Sequence, residues 1–227
     1  MELAKQVWQE VDVTAILLIP LGSTEQHGPH LPMDTDARIA EAIAAGAADV
    51  LPGVAVAPTL PYGASGEHAG FAGTLSIGTE VLRTVIVELT RSAALTFDRI
   101  VFVNGHGGNY AGIAGAIAQL HAEQHDVTSW SPSIPGGDAH AGRTETSLML
   151  AIAPESVRLD AAEPGNTAPL AEIIDDLRSG GVVAASPNGV LGDPAGASAE
   201  EGRILLQQLV SNLVATLETV DTVIGHN

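Results

Sequence analysis

The apolar run at residues 14–20 limits the fold of this chain more than any other feature of the sequence. It reads Thr-Ala-Ile-Leu-Leu-Ile-Pro, so it is short, rich in branched side chains and free of alternating polar residues. Such runs are typical of strands that are buried on both faces of a parallel sheet. Further strands are predicted at 53–57, 98–103 and 127–130. Because helical patterns separate these runs, we predict an α/β fold with a mainly parallel sheet.

The segments between the predicted strands space their apolar residues as helices do. We predict helices over 35–50, 79–95, 112–123, 144–153 and 198–217. Two stretches rich in Gly, Pro and Ser, at 131–143 and 180–198, are predicted to be functional loops. The length of 227 residues suits one globular domain over residues 1–227.

Composition excludes several classes of function. The net charge of -18 argues against nucleic acid and anionic membrane surfaces as partners, because both carry negative charge. The chain has no cysteine, which excludes zinc–thiolate sites, iron–sulfur clusters and a Cys nucleophile. No apolar stretch reaches the ~18 residues of a membrane helix, and the first residues lack the pattern of a signal peptide. We therefore expect a cytoplasmic protein.

Acidic and histidine side chains collect just after two of the predicted strands. Glu25 and His27 follow the first strand, and His106 follows the third. The carboxyl ends of parallel strands meet at one edge of a sheet, so these residues are expected on the same rim. Carboxylates and imidazoles together suit zinc, manganese or iron. Asp36 is our candidate for a carboxylate that bridges two metals about 3.5–4 Å apart.

Each of these residues also has an ordinary structural explanation. Asp36 could favour the N-terminus of a helix through the helix dipole. Glu25 and His27 could lie in a solvated loop, and His106 between glycines could be a turn residue or part of a phosphate cradle. A metal site is favoured because all four residues fall near predicted strand ends.

A third polar segment, residues 136–147, contains His140 and Glu145. Glu145 could cap the helix predicted from 144, or it could complete the metal set. His140 is our candidate for the catalytic residue, either as a general acid or as the group that orients the substrate carbonyl.

Three further residues are candidates for substrate binding. Glu67 and His68 belong to the Gly-rich stretch 66–74, which is either a lid over the site or an ordinary loop. Trp130 ends a predicted strand, where it either lines the substrate pocket or packs in the core. Asn104 and Asn109 are expected to brace the loop that carries His106.

At these residues the chain resembles the creatininase family of metal-dependent amidohydrolases. The resemblance covers nearly the whole chain, and it is carried by Gly-Ser-Thr-Glu-Gln-His-Gly-Pro-His-Leu-Pro at 22–32, Thr-Asp at 35–36, Gly-Glu-His at 66–68, Asn-Gly-His-Gly-Gly-Asn at 104–109, His-Ala-Gly at 140–142, Glu-Thr-Ser at 145–147 and Gly-Asp-Pro at 192–194.

The resemblance implies a layered α/β/α fold, a homo-oligomer and two divalent metal ions per subunit. It also implies that the metal ligands are Glu25, His27, Asp36, His106 and Glu145, and that His140 is catalytic.

One position departs from the family pattern. Creatininases that act on creatinine carry a glutamate two residues after the motif histidine, and this chain has Gly108 there. This difference makes creatinine a doubtful substrate and gives Glu145 more weight as a ligand.

Within the family, the chain most resembles a peptidase branch that releases the C-terminal Val-Tyr unit of a modified precursor peptide. Its expected mechanism is attack on the amide by a metal-activated water.

Other functions are weaker alternatives. Another family member acting on a small cyclic amide or a formamide would use the same residues. A nucleotide-binding module would need Gly-x-Gly-x-x-Gly after a strand, but Tyr110 occupies the last glycine position and no Walker lysine is present. A metal-free interaction scaffold is the third alternative, and the metal content of the protein would distinguish it from the enzyme.

Overall fold

The structure, a computed structural model, describes residues 1–12 and 16–224, with side chains through residue 219. The strands and α-helices of the described residues are β1 Ile16–Leu21, α1 Thr35–Val50, β2 Val54–Val56, α2 Thr79–Ala93, β3 Arg99–Asn104, α3 Tyr110–Ala122, β4 Val127–Trp130, α4 Arg143–Ile152, α5 Leu170–Ala185 and α6 Ala199–Ile224. The first two residues of the predicted first strand, 14 and 15, lie outside the described residues.

The strands form one parallel sheet in the order β2-β1-β3-β4. β1 pairs with β3 along its whole length, from Ile16 opposite Arg99 to Leu21 opposite Asn104. The two central strands therefore end side by side, and the chain leaves both of them at the same edge. This arrangement confirms the predicted parallel sheet, and it places the segments after β1 and β3 next to each other.

Two helical layers cover the sheet, because successive residues of a strand point to opposite faces. Leu17, Ile19 and Leu21 of β1 pack against α2 and α3. Leu18 points the other way, into a cluster with residues of α1, α4 and α6. The runs lack polar alternation because both faces of the sheet are buried, so the layered α/β/α fold is confirmed.

The structure differs from the sequence prediction most clearly in the last third of the chain. Residues 170–185 form α5, which was not predicted, and the predicted loop at 180–198 therefore begins inside a helix. α5 buries only Ile173 and Val182, and Gly181 interrupts it with a φ of 71°. A helix with so few buried residues leaves little apolar periodicity in the sequence. The last helix also runs on to Ile224, past the predicted end at 217.

None of the helices in the described part of the chain combines the length and apolar character that crossing a bilayer requires.

The crossing of α4 and α6 depends on Gly202. A Cβ atom at this position would overlap the carbonyl oxygen of Ser147 on α4. We expect Gly202→Ala to lower the free energy of unfolding by about 1–3 kcal/mol, because the two helices must move apart. Urea denaturation followed by circular dichroism measures this change.

Gly115→Ala on α3 is the matched control, since its new Cβ would meet only the flexible side chain of Arg83. The control is expected to keep or raise stability by up to about 1 kcal/mol, because alanine favours helix more than glycine. Equal stability changes in the two variants would contradict the proposed close contact.

Candidate metal centre

Tight packing of the chain after β1 and β3 brings the start of α1 to the rim of the sheet. A Cβ atom at Gly22 would overlap the backbone of Ala37, and one at Gly105 would collide with the carbonyl oxygen of Asp36. Only glycine allows this approach at both positions. Asp36, in the first turn of α1, is thereby held between the segments that carry His27 and His106.

The residues predicted as metal ligands lie together at this rim. Asp36 Oδ1 is 2.9 Å from His27 Nε2, and Asp36 Oδ2 is 3.3 Å from His106 Nδ1. Glu25 Oε1 is 3.1 Å from His106 Nδ1, and Glu145 Oε2 is 4.0 Å from His27 Nε2. Asp36 therefore occupies the middle of the cluster, with one oxygen toward each histidine.

Backbone carbonyls fix the orientation of both histidine rings. His27 Nδ1 donates to the carbonyl oxygen of Glu25 at 3.1 Å, and His106 Nε2 donates to that of Ala64 at 3.2 Å. Since a carbonyl oxygen only accepts hydrogen bonds, each of these nitrogens carries a hydrogen. The opposite nitrogens, His27 Nε2 and His106 Nδ1, face the carboxylates. This is the usual arrangement of histidines that bind metals.

Two asparagines brace the loop that carries His106, as predicted. Asn104 Nδ2 donates to the carbonyl oxygen of His106 at 2.8 Å, and Asn104 Oδ1 accepts from Asn109 Nδ2 at 3.0 Å. Asn109 Nδ2 also donates to the carbonyl oxygen of Gly22 at 3.0 Å. The asparagines therefore tie the segments after β1 and β3 to each other.

Charges within the cluster shift the pKa values of its members. Burial disfavours charge on His27, but the neighbouring Asp36 carboxylate outweighs it and raises the pKa of His27 to about 10. The pKa of His106 is raised in the same way by Asp36 and Glu25, against burial. Burial likewise opposes ionisation of Asp36, but His27 and His106 hold its pKa well below the ordinary value. Without a metal, both histidines are therefore protonated at neutral pH.

The pKa of Glu145 shifts in the opposite direction to that of Asp36. Burial raises the pKa of Glu145 to about 7, against the charge of His27, which acts to lower it. Its Oε2 accepts a hydrogen bond from the backbone N–H of Ala141 at 2.6 Å.

Glu25 shows most directly that the cluster suits a cation. Its side chain is 0% exposed, and neither oxygen has a hydrogen bond of acceptable geometry among the described residues. The nearest histidine nitrogens attract its charge but lie off the hydrogen-bonding directions. Burying a carboxylate without donors costs several kcal/mol unless a cation compensates it. The donor set of carboxylates and imidazoles therefore fits a divalent metal.

His68 and His140 complete the wall of this space. His68 Nε2 lies 3.2 Å and His140 Nδ1 lies 4.0 Å from Glu25 Oε1. Both rings are buried, and burial lowers the pKa of each, with the charge of His27 acting in the same direction. Both rings are therefore neutral near pH 7. Their nitrogens lie close enough to Glu25 to form an alternative set of metal ligands.

The other two candidates for substrate binding have different surroundings. The Glu67 carboxylate lies beside His106, with Oε1 3.3 Å from Nε2. Trp130 is half-buried and packs against the hydrophobic cluster that contains α1. The contact of Trp130 agrees with the alternative core role, and substrate binding by either residue stays a prediction.

A cavity of about 220 Å³ opens beside the cluster. His106 and Glu145 lie in its wall, together with the apolar side chains of Ile39, Ile134 and Leu148. Part of the wall comes from residues 131–139, which belong to the segment 131–143 that was predicted to be a functional loop. The residues that line the cavity, all in the described part of the chain, include no Lys or Arg. The cavity therefore suits a neutral or cationic group.

Two residues near the centre were not recognised from the sequence. Ser23 Oγ donates to Asp36 Oδ2 at 2.8 Å, and the side chain of Gln26 lies between His68 and His140. Both belong to the motif at 22–32, but spacing alone does not show where their side chains point.

Comparison with known proteins places the chain in one family. The family model described as "Creatininase: Creatinine amidohydrolase" matches residues 3–217. A relative from Mycobacterium ulcerans (strain Agy99), named "Mycofactocin precursor peptide peptidase", is 54% identical over 210 residues, which cover 88% of this chain and 84% of the relative.

Solved structures agree with this result. One described as "Creatininase Mn" superposes with a TM-score of 0.81 at 27% identity and covers 96% of this chain and 97% of its own. A mutant creatininase of the "Zn-Zn type" superposes with a TM-score of 0.80 at 26% identity, with 96% and 97% covered.

The fold, the buried cluster and these matches define a hydrolase of carbon–nitrogen bonds with a site suited to a divalent metal. The chain belongs to the creatininase family.

Metal binding is expected to release protons. His27, with its pKa near 10, and His106 must each lose a proton before the nitrogen that faces the carboxylates can bind a cation. Zinc affinity should therefore rise from pH 6 to pH 9. Titration calorimetry at pH 7 in buffers of different ionisation enthalpy measures the protons released.

His27→Gln is expected to reduce the number of protons released. His121→Gln is the matched control, because the ring of His121 near the end of α3 contacts the carbonyl oxygen of Val127 in β4, outside the cluster, and this variant should behave like the parent protein. A binding enthalpy that is independent of the buffer would contradict protonated histidines in the metal-free centre.

Proposed function

We propose that this chain is a metal-dependent peptidase that hydrolyses an amide bond of the mycofactocin precursor peptide and releases its modified C-terminal Val-Tyr dipeptide. The buried Glu25 carboxylate, which has no hydrogen bond of acceptable geometry and lies beside His106 in the cavity wall, carries the hydrolase part of the proposal. The substrate is supported by the 54% identity to the relative that is named for this peptidase activity.

Two divalent cations per subunit fit the ligand set. Glu25, Asp36 and His106 would hold one, and His27, Asp36 and Glu145 would hold the other. Asp36 supports this pairing because its two oxygens face different histidines. Zinc, manganese and iron all accept such ligands. When bound, the cations supply Lewis acidity that polarises the amide carbonyl and activates a water.

His140 is proposed to transfer the proton from the attacking water to the departing amine. Amide hydrolysis needs a group that takes a proton from the attacking water and returns one to the departing amine. The His140 ring is buried and neutral, and its centre lies 4.3 Å from that of His27, so it borders the reaction space. A neutral imidazole in this position accepts a proton without first having to lose one.

Other side chains are proposed to position the substrate. Ile39, Ile134 and Leu148 give the cavity an apolar wall that excludes water from the scissile bond. His68 borders the reaction space near Glu25, where it would contact the substrate carbonyl. Because water is the nucleophile, no protein nucleophile is needed, and the chain has no cysteine.

The surroundings of Gly108 argue against creatinine as the substrate. The family members that act on creatinine have a glutamate at this position, whereas a Cβ atom at Gly108 would overlap Glu67 Oε1, Ala64 O and His106 Nε2. The Glu67 carboxylate already fills this space. A phosphate-binding role is disfavoured as well, since the Gly-rich loop at 104–109 faces the carboxylates of Glu25 and Asp36.

Incubation with the modified precursor peptide tests the proposed activity. We expect the zinc- or manganese-loaded protein to release the C-terminal dipeptide, detected by mass spectrometry, and to leave creatinine unchanged. Chelation should abolish release, and added metal should restore it. His106→Ala and Glu145→Gln should each lower the rate by at least about 100-fold, roughly 3 kcal/mol of barrier.

Glu155→Gln removes an exposed carboxylate outside the site and serves as the control, with unchanged release. Full activity of metal-free protein, or of His106→Ala, would refute a metal-dependent mechanism. Hydrolysis of creatinine but not of the peptide would refute the proposed substrate.

We also propose that the enzyme works in the cytoplasm as a homo-oligomer, an assembly supported by the family resemblance. Sedimentation equilibrium should give a mass above that of one chain, and a monomer at micromolar concentration would contradict the oligomer.

A further inference from the structure

The side chain of Gln26 is 6% exposed and lies between the imidazole rings of His68 and His140. Its Nε2 lies 2.9 Å from His68 Nδ1, 3.0 Å from His140 Nε2 and 3.0 Å from the carbonyl oxygen of Gly189. Its Oε1 accepts a hydrogen bond of 2.8 Å from the backbone N–H of Gly28. Gln26 thus contacts two histidines and two backbone groups at once.

The two backbone groups fix which way the Gln26 amide points. The N–H of Gly28 can only donate, and the carbonyl oxygen of Gly189 can only accept. A turn of the amide by 180° would set oxygen against oxygen at Gly189 and N–H against N–H at Gly28. The loop also fits closely around this side chain, because Gly189 has a φ of +82° and a Cβ atom there would overlap Gln26.

The hydrogen bonds then determine where each ring carries its hydrogen. His140 Nε2 lies 2.8 Å from the backbone carbonyl oxygen of Gln26, so it must donate and cannot accept from the Gln26 amide. The amide has two hydrogens, and one is used by Gly189. The other hydrogen is donated to His68 Nδ1, which must therefore carry no hydrogen of its own. An imidazole whose Nδ1 accepts a hydrogen bond carries its hydrogen on Nε2, so this is the form of His68.

We propose that Gln26 is a positioning residue that sets the hydrogen-bonding character of both histidines. Both rings carry their hydrogen on Nε2, but they present opposite edges to the centre. His68 has Nε2 on the side of Glu25, 3.2 Å from Oε1, whereas His140 has Nδ1 on that side, 4.0 Å from the same oxygen, because its Nε2 is held by the Gln26 carbonyl. One imidazole is therefore a donor and the other an acceptor at the reaction space.

This assignment separates the possible roles of the two rings. His68 is disfavoured as a ligand beside Glu25, because the nitrogen that faces Glu25 bears a hydrogen and the other nitrogen is held by the Gln26 amide. The alternative ligand group of Glu25, His68 and His140 is thus less favoured than the groups that contain Asp36. The catalytic consequence rests on the proposed hydrolase function: His68 donates to the substrate carbonyl oxygen, while His140 accepts the proton of the attacking water.

Nitrogen NMR tests the proposal without substrate. Long-range ¹H–¹⁵N correlation spectra of histidine-labelled, zinc-loaded protein at pH 7.5 distinguish a bare ring nitrogen from one that carries hydrogen. His68→Gln and His140→Gln assign the signals by their loss. In the parent protein, both rings should show hydrogen on Nε2 and a bare Nδ1. A hydrogen on Nδ1 of either ring overturns the proposal, and this readout needs no variant of Gln26.

Gln26→Glu replaces the donor toward His68 with an acceptor. His68 Nδ1 should then gain a hydrogen, and kcat for the precursor peptide should fall at least about tenfold while KM changes less than about twofold. Gln119→Glu, which makes the same change on the outer side of α3, should leave spectra and kinetics unchanged. Unaltered His68 signals in Gln26→Glu overturn the proposal. Expected spectra in a protein that does not cleave the peptide would instead refute only the proposed function.

Discussion

The burial of two carboxylates at one edge of the sheet is the constraint on which the rest of the structure depends. Glu25 and Asp36 are almost completely shielded from water, and each would cost several kcal/mol if left uncompensated. His27 and His106 supply positive charge to Asp36, but they leave Glu25 without a hydrogen bond of good geometry. Folding therefore produces a space whose charge is only partly balanced, which is the condition for binding a cation.

The parallel sheet makes this arrangement possible. β1 and β3 are neighbours that end together, so segments about 80 residues apart in sequence meet at the rim. Gly22 and Gly105 let α1 approach closely, and Asn104 and Asn109 then hold the two segments together. The precise distances within the cluster depend on these supporting contacts as much as on the ligands themselves.

Four histidines of similar burial differ in the hydrogen-bond partners that orient their rings. Carbonyl groups orient His27 and His106 so that one nitrogen of each faces the carboxylates. The side chain of Gln26 contacts His68 and its backbone carbonyl accepts from His140 Nε2, which is the basis of the opposite hydrogen-bonding characters that we propose for these two rings. In the mechanism that we propose, similar side chains would serve as ligand, donor or proton acceptor because their hydrogen-bond partners differ.

The sequence by itself determined the α/β class, the parallel sheet and most helices, because a fully buried strand and an amphipathic helix each leave a pattern that depends on local spacing. It also indicated that Glu25, His27, Asp36, His106 and Glu145 would converge. Only the tertiary structure decided that α5 forms, that Glu67 fills the space at Gly108, and that Trp130 packs against the core. It also decided which ring nitrogen faces the centre, since Gln26 and His140 are 114 residues apart and only folding brings them together.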